Sequence, residues 1–204
     1  GKYIFLGTAF SFFVNHADKA ILGAFISFAL LGVYTIGTLF AMLPFGIAQT
    51  LNFRVVMPLY RIRPPSESEA NRRNIFRMRR LMIGGALAGN AVLGFLGVPL
   101  VDALYDERYA MAGAITVLVS VVNVPRIVFI GAGAVLLING DSKRNLILNG
   151  TVAVVQTTAF LIGTWQFGLV GAIVAPAVAL LLTTPLRSRY ARLYESWDWQ
   201  GEAV

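Results

Sequence analysis

The chain has 204 residues, 57% of them hydrophobic and 13% charged, with a formal net charge of +7 and a mean hydropathy of +0.70, which excludes water as its main solvent. It has no cysteine, which excludes disulfides, thiolate catalysis and cysteine-ligated metals, and its single histidine, His16, cannot build a multi-histidine site, so no metal or cofactor is expected. The positive charge does not read as nucleic-acid binding: eight arginines fall between Arg54 and Arg80, with no aromatic-interleaved basic sheet or recognition helix beside them.

A membrane crossing needs about 20 apolar residues. Six stretches meet that length in chain order: Tyr3 to Phe25, Leu31 to Arg61, Ile75 to Leu96, Ala110 to Asn139, Leu146 to Phe167 and Leu169 to Arg187. The expected fold is all-α, a polytopic membrane protein with a six-transmembrane-helix bundle over residues 1–188 and a cytoplasmic tail over 189–204. The chain meets its first apolar stretch directly after Gly1, without a signal-peptide cleavage pattern, and reads as part of a longer protein.

The first stretch carries Thr8, Ser11, Asn15, Asp18 and Lys19 on one arc, with His16 turned away from Asp18 and Lys19 near the outer boundary. An uncharged turn at Ser27 to Leu30 follows. The second stretch is too long for a perpendicular crossing, and Pro44 and Pro58 supply bend points. Arg54 reads as a boundary anchor. Arg61 to Arg80 holds the helix-breaking run Pro64-Pro65-Ser66-Glu67-Ser68-Glu69 and then an arginine-rich amphipathic lead into the third stretch. Its arginines make this loop cytoplasmic and set it against anionic headgroups.

The third stretch exits at Gly97, and Val98 to Tyr105 predicts a short interfacial helix with Tyr105 and Tyr109 as belt aromatics. Asp102, Asp106 and Glu107 against Arg108 place that connection outside. The fourth stretch is also overlong, bends at Pro125, and aligns Thr116, Ser120, Asn123 and Arg126 within an arc of about 120°. Asp141-Ser142-Lys143-Arg144 returns the chain to the inside. The fifth stretch aligns Asn145, Asn149, Gln156 and Gly163. An uncharged outer turn near Gly168 leads to the sixth, with Pro176 as a further bend point, which ends at Arg187, Arg189 and Arg192, inside. The tail offers Tyr194, Trp197 and Trp199 to the inner surface. Both ends of the segment are thus expected in the cytoplasm.

Arginine at the centre of a span costs about 2.5 to 3.5 kcal/mol on an insertion scale, so Arg126 is expected to face protein or water. Two readings of the stripes stand side by side. In one they join helices by hydrogen bonds, with Arg126 paired to Asp18. In the other they line an aqueous cavity where Arg126 contacts an anionic substrate, assisted by Asn123, Asp18, Asn15, Ser11, Asn149 and Gln156.

Asp18-Lys19-Ala20-Ile21-Leu22-Gly23, Leu31-Gly32-Val33-Tyr34 and Leu43-Pro44 resemble the D-x-x-x-L-G, L-G-x-Y and P pattern that opens the second half of Wzx-type polysaccharide flippases, members of the multidrug, oligosaccharidyl-lipid and polysaccharide exporter superfamily. Met57-Pro58-Leu59-Tyr60, Leu104 to Tyr109, Ile138 to Lys143 and Gly168 to Ala172 resemble further short motifs of that family, with Asp106 in place of a usual glycine. The resemblance implies the C-terminal lobe of a two-lobe, non-enzymatic flippase in the bacterial inner membrane. Its implied partners are undecaprenyl-pyrophosphate-linked oligosaccharide as the substrate, membrane lipids and an N-terminal lobe of the same chain. It also implies that Arg126 contacts the pyrophosphate. A cation-coupled multidrug antiporter using Asp18, a peptidoglycan-precursor flippase, a membrane-embedded glycosyl transferase or polymerase using Asp102, Asp106 and Glu107, and a non-transporting membrane scaffold in which Arg126 only packs are the alternatives.

Overall fold

The computed structural model describes residues 2–64, 67–131 and 134–193, and among them the chain is helical with no strand. Helix α1 (Lys2–Phe25) and α2 (Phe28–Leu51) meet at Ser27, whose extended backbone and hydroxyl cap α2: the Ser27 Oγ accepts from the Leu30 N–H at 3.3 Å. A π-helical turn, Asn52–Val56, continues α2 into α3 (Met57–Ile62). Pro58 cannot donate to the Arg54 carbonyl, and the wider turn directly before it absorbs that mismatch. The overlong second stretch is therefore one continuous, locally widened helical segment.

Helix α4 (Glu69–Leu104) starts where the sequence breaks the chain, with Ser68 Oγ accepting from the Asn71 N–H at 3.1 Å. It runs on through Pro99, so the separate interfacial helix expected over 98–105 does not form. Gly97 and Val101, four residues apart, both stay buried against α5 and hold the final turns in line. A Cβ on Gly97 would stand 3.1 Å from Thr116, so glycine is what lets the two helices close up. A 3₁₀ turn, Glu107–Tyr109, leads to α5 (Ala110–Val128).

The fourth stretch is resolved by a break. Gly131 adopts φ +85°, with the Asn52 side chain 2.7 Å from where a Cβ would sit, and a short α6 (Ala134–Ile138) follows. Helix α7 (Ser142–Arg192) contains Gly168 at φ 57°, ψ −136°, and bends there. A Cβ on Gly163 would lie 2.8 Å from the Gly171 carbonyl oxygen, yet eight residues of straight helix span about 12 Å. The chain therefore folds back at the expected turn, giving limbs 142–167 and 169–192.

Helix α1 packs mainly on α7 and α4 mainly on α5, while α2 lies against both α4 and α5. One core cluster includes Leu22, Tyr34, Ile115 and Phe160, and a second joins Tyr60, Ile75, Met82 and Ile127. Among the described residues, four helical segments are long and apolar enough to cross a membrane: Phe28–Ile62, Glu69–Leu104, Glu107–Val128 and Ser142–Tyr190. Helix α1 has 24 residues, and Lys2–Val14 is an apolar run within its described part. Phe95 is 85% and Trp165 76% exposed; with about 25 cal/mol gained per Å² of apolar surface removed from water, such side chains favour lipid contact. These features are those of a helical membrane protein. The tail residues Tyr194, Trp197 and Trp199 lie outside the described residues.

One member of the arginine run does not face the headgroups as expected. Arg79 is 3% exposed, on the same packed face of α4 as Ile75, Phe76 and Met82.

Candidate functional site

A cavity of about 240 Å³ lies among α1, the α2–π turn, the α5–α6 junction and both limbs of α7. On α2 and the π turn that continues it, Phe45, Gln49, Asn52 and Phe53 recur at helical spacing and present one mixed face to it. From α7, Asn145, Asn149, Val152 and Gln156 come from the first limb, and Pro176, Leu180 and Arg187 from the second. Ser11 closes the α1 side. Two arginines, Arg126 and Arg187, reach the wall, and among the described residues no carboxylate does.

Arg126 is half-buried. Its guanidinium carbon sits 4.4 Å from the centroid of the Phe45 ring, and its Nη1 donates to the Met42 sulfur at 3.8 Å. The aromatic face stabilises a cation in a setting poor in water and fixes the guanidinium plane. Asp18, Tyr34 and Arg187 all lie near enough to Arg126 for their charges to interact with it. Tyr34 Oη donates to Asp18 Oδ2 at 3.2 Å, while Asp18 Oδ1 is buried without a hydrogen-bond partner. His16 lies against Phe12, with ring centroids 4.4 Å apart and the rings tilted by 42°.

The structure brings together Ser11, Arg126, Asn149 and Gln156 of the residues expected from sequence. Asp18 and Asn123 stand outside the cavity wall, and the Asn15 side chain lies outside the described residues. For Asn123 the reason is its register: it faces α2, donating Nδ2–H to the Ala41 carbonyl at 3.3 Å and to the Met42 sulfur at 3.5 Å. Thr116 Oγ1 likewise donates to the Gly37 carbonyl at 3.1 Å, and the Ser120 carbonyl accepts from Asn90 Nδ2 at 2.6 Å. Most of the α5 stripe thus joins helices through backbone carbonyls, and Arg126 at its end turns to the cavity.

The α7 amides serve both ends. Asn149 Nδ2 donates to the Gly7 carbonyl at 3.3 Å and Gln156 Nε2 to the Val14 carbonyl at 3.0 Å, tying α7 to α1. Each amide has a second N–H and a carbonyl oxygen beyond that bond, enough to meet a hydroxyl-rich ligand. Gln49, Asn52 and Arg187 are wall residues that the sequence reading did not assign to a site. Arg187 reads as a loop anchor, but Pro176, Leu180, Thr183 and Arg187 share one helical face, and Arg187 Nε donates to Thr183 Oγ1 at 3.4 Å.

Because Thr116 joins helices and lies off the cavity, Thr116→Val is expected to cost about 0.6 kcal/mol, typical of a hydrogen bond between membrane helices. Thermal unfolding in detergent measures that loss.

Comparison with protein-family models, with curated proteins and with solved structures finds no match for this chain.

Proposed function

We propose that the protein is a transporter of lipid-linked oligosaccharide, the C-terminal six-helix lobe of a polysaccharide or O-antigen flippase in the bacterial inner membrane, with both ends of the segment in the cytoplasm. The observation that carries this reading is the presence of Arg126 and Arg187 in one cavity of mixed polar and apolar lining whose described wall has no carboxylate. Two guanidinium groups and no carboxylate favour an anion, and their planar forks suit phosphate oxygens better than a point charge does. Asn145, Asn149 and Gln156 supply donors and acceptors for sugar hydroxyls without demanding one sugar. Alternating access of the cavity to the two membrane faces, against a second lobe, would carry the bound head group across while the lipid tail stays in the bilayer.

Deletion of the gene in its own host tests this. The expected result is accumulation of lipid-linked oligosaccharide on the cytoplasmic face and loss of surface polysaccharide, both reversed by the wild-type gene. Normal surface polysaccharide in the deletion strain would overturn the reading.

A second reading rests on Asp18, whose buried Oδ1 has no hydrogen-bond partner and suits a proton or small cation. In a cation-coupled drug antiporter the same deletion strain would become drug-sensitive while its surface polysaccharide stayed normal.

A further inference from the structure

The N-terminal turns of α4 form a basic surface continuous with an apolar one. Helix α4 has 36 residues, about 54 Å of helix against a hydrocarbon core of about 30 Å. The apolar stretch expected from Ile75 narrows to one starting at Leu81, because Arg77, Arg79 and Arg80 precede that residue and no charged residue follows it until Asp102, so the turns from Glu69 to Arg80 project beyond the hydrocarbon. Counted back from Leu81 at about 1.5 Å per residue, Arg80, Arg77 and Arg73 stand roughly 2, 6 and 12 Å past that edge. The polar zone of a leaflet is roughly 5 to 8 Å deep, so the first two fall within it and the third at its aqueous side.

Register adds a second constraint. At about 100° per residue, Arg73, Arg77 and Arg80 lie within an arc of about 60°, and Leu81, Ala88 and Phe95 continue along nearly the same face. All three arginines are exposed, as are Leu81 and Phe95. The packed face of α4, with Ile75, Arg79 and Met82, points the other way. Arg73 has only a surface pair with Glu69 at 3.8 Å, and among the described residues neither Arg77 nor Arg80 has an acidic partner. A phospholipid lying with its chains along Leu81 to Phe95 would set its phosphate against these guanidinium groups.

We propose that Arg73, Arg77 and Arg80 on α4 form a binding site for the headgroup of an anionic phospholipid, whose acyl chains lie on the Leu81–Phe95 face. The guanidinium forks bind the phosphate oxygens, and a headgroup without a compensating ammonium leaves the attraction uncancelled. This site depends on the helix being in a membrane and not on what the cavity carries, so failure of the flippase reading leaves it standing.

The test uses protein reconstituted in vesicles of phosphatidylcholine and phosphatidylglycerol in equal parts, re-extracted in mild detergent, with the retained lipid identified by mass spectrometry. The wild type is expected to retain phosphatidylglycerol severalfold over phosphatidylcholine. Arg73→Gln, Arg77→Gln and Arg80→Gln together should remove that preference, while a variant with lysine at all three positions keeps most of it. The pair Arg61→Gln and Arg63→Gln, in exposed residues off this face, should leave it unchanged. Circular dichroism on each variant checks that the helices are intact. If the glutamine triple does not fold, Leu81→Asn with Phe95→Asn is expected to reduce retention by removing the chain-binding face. Equal retention of both lipids by the wild type, or equal loss in the Arg61 and Arg63 pair, would overturn the proposal.

Discussion

On the proposed flippase reading, replacing Arg126 by alanine is expected to lower lipid-linked oligosaccharide export roughly tenfold to a hundredfold at matched membrane abundance. The magnitude follows from charge-assisted hydrogen bonds, worth about 1.5 to 3 kcal/mol each, where about 1.4 kcal/mol is a factor of ten. Arg126→Lys keeps the charge but loses both the fork and the flat contact with Phe45, so its export should fall between the two. Arg126→Met keeps much of the packing against Met42 and Phe45 without the charge, and is expected to export as poorly as alanine while matching the wild type in abundance. Export is read as surface polysaccharide together with the amount of lipid-linked oligosaccharide held on the cytoplasmic face. Full export by Arg126→Met would assign this side chain to packing and withdraw the cavity role.

Much of the helical layout was legible because membrane helices announce themselves by length and by the residues that stop them. Ser68 caps α4 where the Pro64 run ends, and Gly168 turns the chain where an uncharged gap separates two apolar stretches. Pro58 was legible as a bend point, though not as a π turn, because proline marks where a backbone bond is lost and not how the helix absorbs it. The separate helix expected over 98–105 was not formed because Gly97 and Val101, on the packed face of α4, outweigh the one hydrogen bond missing at Pro99.

The site was half legible. A helical stripe shows which residues share a face but not what covers it, so Asn123 and Arg126 were grouped although one contacts the α2 backbone and the other reaches the cavity. Arg187 was obscured by its company. Beside Arg189 and Arg192 it looks like part of a basic loop, and only its alignment with Pro176, Leu180 and Thr183 marks it as the end of a wall. Asn52 was overlooked because it falls in an overlong stretch whose local geometry changes at that residue. Gln49 and Asn52, three apart in an otherwise apolar run, were a signal available in the sequence.

Gly171→Ala is expected to destabilise the protein by about 3 kcal/mol or more, at the upper end of what overpacking costs. A Cβ there would overlap the Gly163 carbonyl, a backbone group that no rotamer change can move. The α7 limbs would have to separate, which pulls the first limb from α1 and the second from the cavity wall where Arg187 sits. Small residues let membrane helices approach closely because no hydrophobic force draws them together in lipid, so lost packing is not recovered elsewhere. Gly168→Ala should be milder, at about 1 to 3 kcal/mol, because its cost is confined to one strained backbone at φ 57°, ψ −136°, with open space around it. Gly32→Ala, inside α2 with nothing near its would-be Cβ, should be neutral or slightly stabilising. Membrane abundance and the midpoint of thermal unfolding in detergent should rank the three as Gly32→Ala, Gly168→Ala, Gly171→Ala from most to least stable. A Gly171→Ala protein as stable as the Gly32→Ala control would mean that the two limbs do not pack backbone to backbone, and the cavity wall that Arg187 helps to form would lose its support.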